Sequence, residues 1–249
     1  MRFLITIPLY GTTDGLQKLF PTLGLPNPGD DAFPHELNFF PFAHGEILVR
    51  NNNIENVGFT SAVNDGMRAG LERGYDAVWV MGDDMQVLDI EAAVRDIERE
   101  FAEHPKTGIV GIQLRDMQNP DFIYHGGTKQ SYPAGVHKTG FVSKGDLNTR
   151  TRERWVAGGT MVVRSACMRE IGLMDERFFL ICSDSDYCFR ARAAGFDVVY
   201  LPVPLLHRSG GITEKPSKSQ TELLGRDILQ FSRKWITGEA FRYLEEEPL

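Results

Sequence analysis

Apolar residues in this chain alternate between short continuous runs and longer stretches in which they recur every three or four positions. The clearest run, Ala77–Met81, predicts a strand buried on both faces, because strands inside a parallel sheet are continuously apolar. Other runs predict further strands at Arg2–Pro8, Leu37–Phe40, Glu46–Arg50, Gly108–Leu114, Trp155–Val163 (entered through Gly158 and Gly159) and Val198–Leu201. These runs supply enough strands for one central sheet.

The stretches with helical spacing lie between these runs. They predict a short helix through Leu19 or Phe20 and helices at Thr60–Arg73, Asp89–Phe101, Cys167–Ile171, Asp184–Ala194 and Thr221–Trp235. Pro21–Gly45 is mostly irregular by composition, and Asp121–Lys144 suggests hairpins or a long loop. Strand and helix alternate, which predicts an α/β fold with a mostly parallel, Rossmann-like sheet and right-handed crossovers.

The chain shows no internal repeat and no clear linker. We predict one domain over residues 1–215, followed at 216–249 by a C-terminal amphipathic helix and an acidic tail. The apolar stripe of this last helix is Leu224, Ile228, Phe231 and Trp235.

Composition narrows the class of protein. The 249 residues are 42% hydrophobic and 24% charged, as is usual for a globular protein, and the net charge of −7 argues against nucleic-acid binding. Three cysteines, Cys167, Cys182 and Cys188, lack metal-site spacing and predict reduced core residues of an intracellular protein. No apolar run approaches the roughly 20 residues that span a bilayer. We therefore expect a cytoplasmic protein without a transmembrane segment, in which peripheral membrane contact is possible.

Two adjacent carboxylates, Asp83 and Asp84, follow the buried run at Ala77–Met81. Ligands of α/β proteins gather at the carboxyl ends of the strands, and bare carboxylates there suit a hard divalent cation that itself holds a phosphate. A solvated acidic turn explains the same pattern.

Several segments, in order over about residues 47–235, resemble the family 2 glycosyltransferases, in particular rhamnosyltransferase-like members, which have the GT-A fold. These segments are Asn56–Phe59 with Asn64 and Gly66, Gly82–Asp84, Ala157–Met161, Ile171–Phe179, Ser183–Arg190, Tyr200–Pro202 and His207. Two positions depart from the family pattern: Gly82 replaces the first acid of the Asp-x-Asp metal element, and Ser183 replaces the Glu before the base. The family's Val-Asp-Asn-x-Ser strand, whose Asp holds the nucleobase, is not intact; Arg50 or Asn51 stands nearest to it.

The resemblance implies a role for each matching residue. Asp184 would be the general base, and Asp84, Asp83 and His207 would hold Mn²⁺ or Mg²⁺. The implied donor-binding residues are Pro8, Tyr10, Asn56, Gly58, Asn64, Gly82 and Asp83. The implied acceptor-binding residues are Trp155, Gly158 and Gly159, and the aromatic candidates for stacking on a sugar are Trp155, Tyr124, Tyr132 and His125.

Structural roles compete with several of these assignments. Ser183, Asp184 or Ser185 could simply cap the following helix, and His207 could be a surface-loop histidine. Asn56 and Asn64 could cap the helix Thr60–Arg73 and its turn. Asp186 is expected to pair with Arg190 one turn later.

The leading hypothesis is a metal-dependent inverting glycosyltransferase, a hexosyl- or deoxyhexosyltransferase. It would move a sugar from a nucleoside diphosphate donor (UDP, dTDP or GDP) to a hydroxyl of a glycan, a lipid-linked or a small acceptor, in polysaccharide biosynthesis or glycan modification. A nucleotidyltransferase is a second hypothesis, although Tyr10–Asp14 lacks the basic residue of a phosphate loop. A catalytically silent sugar- or nucleotide-binding protein is the third.

Overall fold

A computed structural model describes residues 1–128, 137–145, 147–208 and 217–236. Its strands are β1 (Phe3–Leu9), β2 (Leu37–Phe42), β3 (Gly45–Asn51), β4 (Ala77–Val80), β5 (Met85–Val87), β6 (Thr107–Asp116), β7 (Phe122–His125), β8 (Gly140–Phe141), β9 (Thr151–Arg152), β10 (Val162–Arg164) and β11 (Asp197–His207). Its α-helices are α1 (Asp14–Thr22), α2 (Gly58–Glu72), α3 (Ile90–Glu103), α4 (Ser165–Ile171), α5 (Ser183–Ala193) and α6 (Lys218–Trp235). Tyr132, the domain boundary predicted at residues 215 and 216, and the acidic tail lie outside the described ranges.

All eleven strands belong to one sheet, in which eight follow the order β2-β3-β1-β4-β10-β6-β11-β5; β7 pairs with β6 and β8, and β9 pairs with β11. Strands β3, β1 and β4 pair in parallel, as do β6 and β11, while β10 runs antiparallel between β4 and β6. The five strands β3, β1, β4, β6 and β11 therefore point the same way, which confirms the predicted mostly parallel α/β sheet. Their carboxyl ends lie along one edge.

Helices cover both faces of the sheet, as continuously apolar strands require. On one face Leu19 of α1 and Ile97 of α3 join a buried cluster with side chains such as Ile5 and Trp79. On the other face Met67 of α2 and Phe231 of α6 join a second buried cluster. Helix α6 is thus part of the core. Within the described residues no helix has both the length and the apolar character needed to cross a bilayer.

One predicted strand is wrong. Trp155–Val163 contains a strand only at its end, because Gly158–Thr160 forms a 3₁₀ turn before β10 begins at Val162. The Thr160 amide donates to the Ala157 carbonyl at 3.3 Å, so this amide bonds within a local turn and the stretch is not a continuous strand. The last strand is longer than predicted and ends at His207, so His207 does not lie in a surface loop.

Candidate active site

Two cavities open near the carboxyl edge of the sheet and share Phe59 and Leu180. The first, which we call the polar cavity, has a volume of about 410 Å³. Its lining consists of Pro8, Tyr10, Asn52, Asn56, Gly58, Phe59, Asp83, Phe179, Leu180, Ser219, Gln220 and Leu223. Most of the predicted donor-binding residues therefore meet in one place.

The second, which we call the apolar cleft, has a volume of about 580 Å³. Its aliphatic and aromatic lining includes Phe59, Met85, Leu114, Tyr124, Trp155, Leu180, Ile181, Leu224 and Ile228, and its polar lining includes His137, Ser183, Asp184, Ser185 and His207. Gly158 and Gly159 also line it. The candidate base and the candidate metal-binding histidine thus face the same cleft.

The pairing of β5 with β11 brings Asp84 to His207. His207 lies opposite Met85 in this antiparallel ladder, and Asp84 is the residue before Met85. His207 Nε2 lies 3.4 Å from Asp84 Oδ2, and the Arg208 amide donates to the Asp84 carbonyl at 3.2 Å. Residues distant in sequence therefore form one acid–imidazole pair.

Asp83, the residue before Asp84, lines the polar cavity. Burial, together with the charge of Asp84, raises the pKa of Asp83 to about 7, although the Tyr10 amide and Arg208 act against the shift. The backbone of Asp83 packs closely against α1, since a Cβ on Gly15 would lie 2.1 Å from the Asp83 carbonyl oxygen. The two adjacent acids therefore have different surroundings.

A divalent cation fits the Asp84–His207 pair. Ligand atoms on one ion at about 2.1 Å lie roughly 3.0 to 4.2 Å from each other, so a separation of 3.4 Å allows both atoms to bind the same ion. The described residues contain no group of three or more His, Cys, Asp or Glu side chains arranged for a metal. Further ligands would have to come from bound substrate or water.

Two predicted aromatic candidates, Tyr124 and His125, have different surroundings. Tyr124 stacks on His207, with ring centroids 5.4 Å apart and planes 22° from parallel. The structure does not support His125 as a residue that stacks on a sugar, because its side chain is fully buried and its Nδ1 lies 2.6 Å from Nδ1 of His137. Burial lowers the pKa of both His125 and His137.

Asp184 lies in the first turn of α5 with its carboxylate held by two backbone amides. Oδ2 accepts from the Gly158 amide at 2.9 Å, and Oδ1 accepts from the Ser185 amide at 2.8 Å. Cys182, the residue before the helix, has φ 65°, and its side chain does not cap the helix. Asp184 does bond one amide of the first turn, that of Ser185, so the structure shows part of the predicted capping, and the bond from the Gly158 amide is additional to it. Burial raises the pKa of Asp184.

Position 158 has little room for a side chain because Asp184 packs against Gly158. A Cβ at this position would lie 3.1 Å from the Asp184 Cβ. The neighbouring Gly159 carbonyl accepts from the Gly82 amide at 3.1 Å, which joins the 3₁₀ turn to the end of β4. Trp155 lines the same cleft, although most of its surface is buried.

Asn56, which precedes α2, and Asn64, which lies within it, have different surroundings. Asn56 lines the polar cavity, and its Oδ1 accepts from the Gly58 amide at 3.1 Å. Asn64 is buried away from both cavities: its side chain donates to the Met174 carbonyl and accepts from the Met174 amide, each at 2.9 Å. The structure thus does not bring Asn64 to the site, because the nitrogen and the oxygen of its side-chain amide both bond to the backbone of Met174.

Sequence patterns did not reveal several lining residues. Asn52 and Phe179 line the polar cavity, as do Ser219 and Gln220 from α6. The apolar stripe of α6 indicated a packed face, but spacing alone does not say that Leu224 and Ile228 would line a cleft.

A family model described as glycosyltransferase like family 2 matches residues 41–228, about three quarters of the chain. The chain belongs to this family. Membership confirms the enzyme class predicted from the ordered motifs, a glycosyltransferase.

The predicted pairing of Asp186 with Arg190 is also seen, since Arg190 Nε lies 3.1 Å from Asp186 Oδ2.

Similar proteins agree with this assignment. This chain is 32% identical over 72 residues to the rhamnosyltransferase WbbL of Escherichia coli K12. The match spans 29% of this chain and 27% of WbbL. A structure of GalNAc-T7 with UDP, GalNAc and Mn²⁺ is similar with TM-score 0.55 and 10% identity, covering 98% of this chain and 56% of that one. Staphylococcus aureus TarS 1–349 is similar with TM-score 0.52 and 11% identity, covering 100% and 76%. These structures confirm the GT-A fold of this chain.

Proposed function

We propose that this protein is a metal-dependent, inverting glycosyltransferase that uses a nucleoside diphosphate sugar and a hydroxyl acceptor. One observation carries the proposal: Asp184 and His207 face the same cleft, and His207 contacts Asp84 beside the polar cavity. A base and a diphosphate-binding pair therefore flank one space in which a sugar could be transferred.

The donor would occupy the polar cavity, where Asn52, Asn56 and Gln220 offer amide groups to a nucleoside. Asp84 and His207 would hold Mn²⁺ or Mg²⁺, which neutralises charge on a departing diphosphate. The histidine nitrogen favours Mn²⁺ over Mg²⁺. Lys18 and Arg208 line a small pocket with Asp84 and add positive charge there.

The acceptor would enter the apolar cleft with its hydroxyl near Asp184. As the acceptor oxygen forms a bond to the anomeric carbon, the bond to the diphosphate oxygen breaks, and the acceptor proton moves to Asp184. A single displacement of this kind inverts the anomeric centre. The raised pKa of Asp184 suits a group that must accept a proton.

Recognition of the nucleobase would differ from the family pattern. Arg50, which stands near the missing acid, is buried and donates to the backbone oxygens of Asn51 and Glu55, with Asp65 at 3.2 Å. Asn52 instead lines the polar cavity. The donor class proposed is UDP, dTDP or GDP sugar, and UDP is the nucleotide in the GalNAc-T7 structure.

The acceptor class proposed is a glycan, a lipid-linked sugar or a small hydroxyl compound, in the synthesis of a polysaccharide or the modification of a glycan. WbbL is a rhamnosyltransferase, which makes a deoxyhexosyl donor a reasonable first trial. A cytoplasmic location, with or without contact to a membrane surface, is part of the proposal because the described cysteines are free thiols.

Calorimetric titration with UDP, GDP, dTDP and CDP, each with and without Mn²⁺, tests the proposal. We expect one nucleotide to bind, and to lose that binding when the metal is removed. Binding of no nucleotide would favour the catalytically silent protein, an alternative that the two-residue metal pair also suits. Transfer of sugar from the matching donor, with inversion read by NMR, then tests the chemistry.

A further inference from the structure

Asp227 of α6 is fully buried, and its carboxylate binds the backbone of a segment that lies far from it in sequence. Its Oδ2 accepts from the amides of Leu180 at 2.7 Å and Ile181 at 3.0 Å. Its Oδ1 accepts from the Phe179 amide, also at 3.0 Å. Three consecutive backbone amides therefore converge on one buried carboxylate.

The segment that Asp227 holds, residues 179–182, has no regular secondary structure and lies between the two cavities. Phe179 and Leu180 line the polar cavity, while Leu180, Ile181 and Cys182 line the apolar cleft. No helix or strand bonds fix these amides, so the carboxylate supplies hydrogen bonds that the backbone otherwise lacks.

The same segment contacts the start of α2 and leads into α5. The Phe179 carbonyl accepts from the Phe59 amide at 2.8 Å, and a Cβ on Gly58 would lie 2.6 Å from that carbonyl oxygen. At its other end, Cys182 has φ 65°, and Asp184 follows two residues later. A shift of this segment would therefore move both the start of α2, which lines the polar cavity, and Asp184, the candidate base.

We infer that Asp227 is a positioning residue for transfer: it fixes the 179–182 segment, which sets the relative placement of the nucleotide and of Asp184. The inference rests on the proposed glycosyltransferase function. Asp227 itself does not touch either substrate, since it lines neither cavity among the described residues. Its effect passes through the backbone amides.

The test compares Asp227→Asn with Trp235→Phe. Asn keeps the size of the side chain, but its amide nitrogen cannot accept a hydrogen bond, so the segment loses part of its anchor. Trp235→Phe removes a hydrogen bond of 2.8 Å from the indole to Asp186 at the end of the same helix and leaves residues 179–181 untouched. Both variants should lower Tm.

Well below each Tm, we expect Asp227→Asn to lower kcat by about 10- to 100-fold, since small misplacements of reacting groups carry costs of this size. Its Kd for the nucleotide should also rise, whereas Trp235→Phe should keep both constants. An Asp227→Asn enzyme with a lowered Tm but the native kcat and Kd would overturn the inference. Asp227→Glu, which retains the charge, should restore part of kcat.

Hydrogen exchange of the native protein provides a measurement that needs neither a variant nor a donor. The amides of Phe179, Leu180 and Ile181 should exchange as slowly as those in the middle of α6. Unprotected amides would overturn the inference even if Asp227→Asn fails to fold. If the native protein binds no nucleotide but these amides are protected, the proposed function fails and the anchoring by Asp227 stands.

Discussion

The polar cavity and the apolar cleft are neighbours built from different kinds of side chain. The polar cavity presents amide and hydroxyl groups from three separate parts of the chain, represented by Tyr10, Asn52 and Gln220. The apolar cleft has an aliphatic wall, with Leu180, Leu224 and Ile228, and its polar lining includes Asp184 and His207. The first is suited to recognising a nucleotide by hydrogen bonds, and the second to excluding water from a reacting bond.

The largest expected effect lies in the cleft, at Asp184. Asp184→Asn should lower kcat by about 10²- to 10⁴-fold, the usual contribution of a general base, because an amide cannot take the acceptor proton. Nucleotide affinity should not change, because Asp184 does not line the polar cavity. Steady-state transfer assays measure kcat, and calorimetry on the same preparation measures nucleotide affinity.

Asp197→Asn is a matched control, since it removes a carboxylate that pairs with Arg152 far from the cleft. Near-native turnover in Asp184→Asn would show that the base assignment is wrong.

The acid–imidazole pair gives the next effect; its His207 lines the apolar cleft, and its Asp84 follows Asp83, which lines the polar cavity. Asp84→Ala and His207→Ala should each weaken metal-dependent nucleotide binding by at least about 10-fold, the lower end of what even the outer partners of a metal contribute. Titration with nucleotide at several Mn²⁺ concentrations measures this.

Asp96→Ala, which removes an exposed acid paired with Arg99, should bind as the native protein does. Unchanged metal dependence in both site variants would remove Asp84 and His207 from the metal site.

The wall of the cleft should show a smaller and more selective effect. Ile228→Asn should raise the acceptor KM by about 10-fold, within the range for losing one apolar contact, and leave nucleotide affinity unchanged. Leu229, the next residue on α6, is 58% exposed, so Leu229→Asn is a control at a solvent-facing position of the same helix. Equal effects of the two substitutions on acceptor KM would mean that the wall does not contact the acceptor.

The smallest effect is a displacement of the pH profile. Asp184 must be unprotonated to act as a base, so the rate rises with pH through the pKa of Asp184. Because burial raises that pKa, the acid limb should lie above the range of an exposed aspartate, near 3.9. Plots of log kcat/KM against pH locate the limb; an acid limb at or below the ordinary aspartate range would contradict the buried, raised pKa.

Sequence patterns predicted the parts of this fold whose burial is periodic. The run at Ala77–Val80 and the helix over Ile90–Glu103 lie close to their predicted positions, because each buries a continuous or regularly spaced apolar surface. Strands such as β5 and β9 are two or three residues long, too short for any period. The apolar, glycine-containing start of Trp155–Val163 resembles a strand, yet its hydrogen bonds go to a 3₁₀ turn and to Asp184.

Sequence motifs proposed individual site residues, but they did not reveal the contacts that tertiary packing creates between them. Asp84 and His207 were assigned by family resemblance, while their contact depends on β5 and β11, whose pairing has no local signal. Asp227 belongs to an amphipathic helix in which an aspartate looks like a solvent-facing residue. Only the three-dimensional path of residues 179–181 explains why it is buried.

The pairing of β5 with β11 also has a consequence for how activity arises during folding. Asp84 comes from the first half of the chain and His207 from its last strand, and a ladder from Met85 to Val87 holds them together. Closing so long a loop is slow, and non-local contacts form late. A nascent chain would therefore contain Asn52 and Asn56 well before it can form the candidate metal pair, so enzymatic competence should mark completion of the native state.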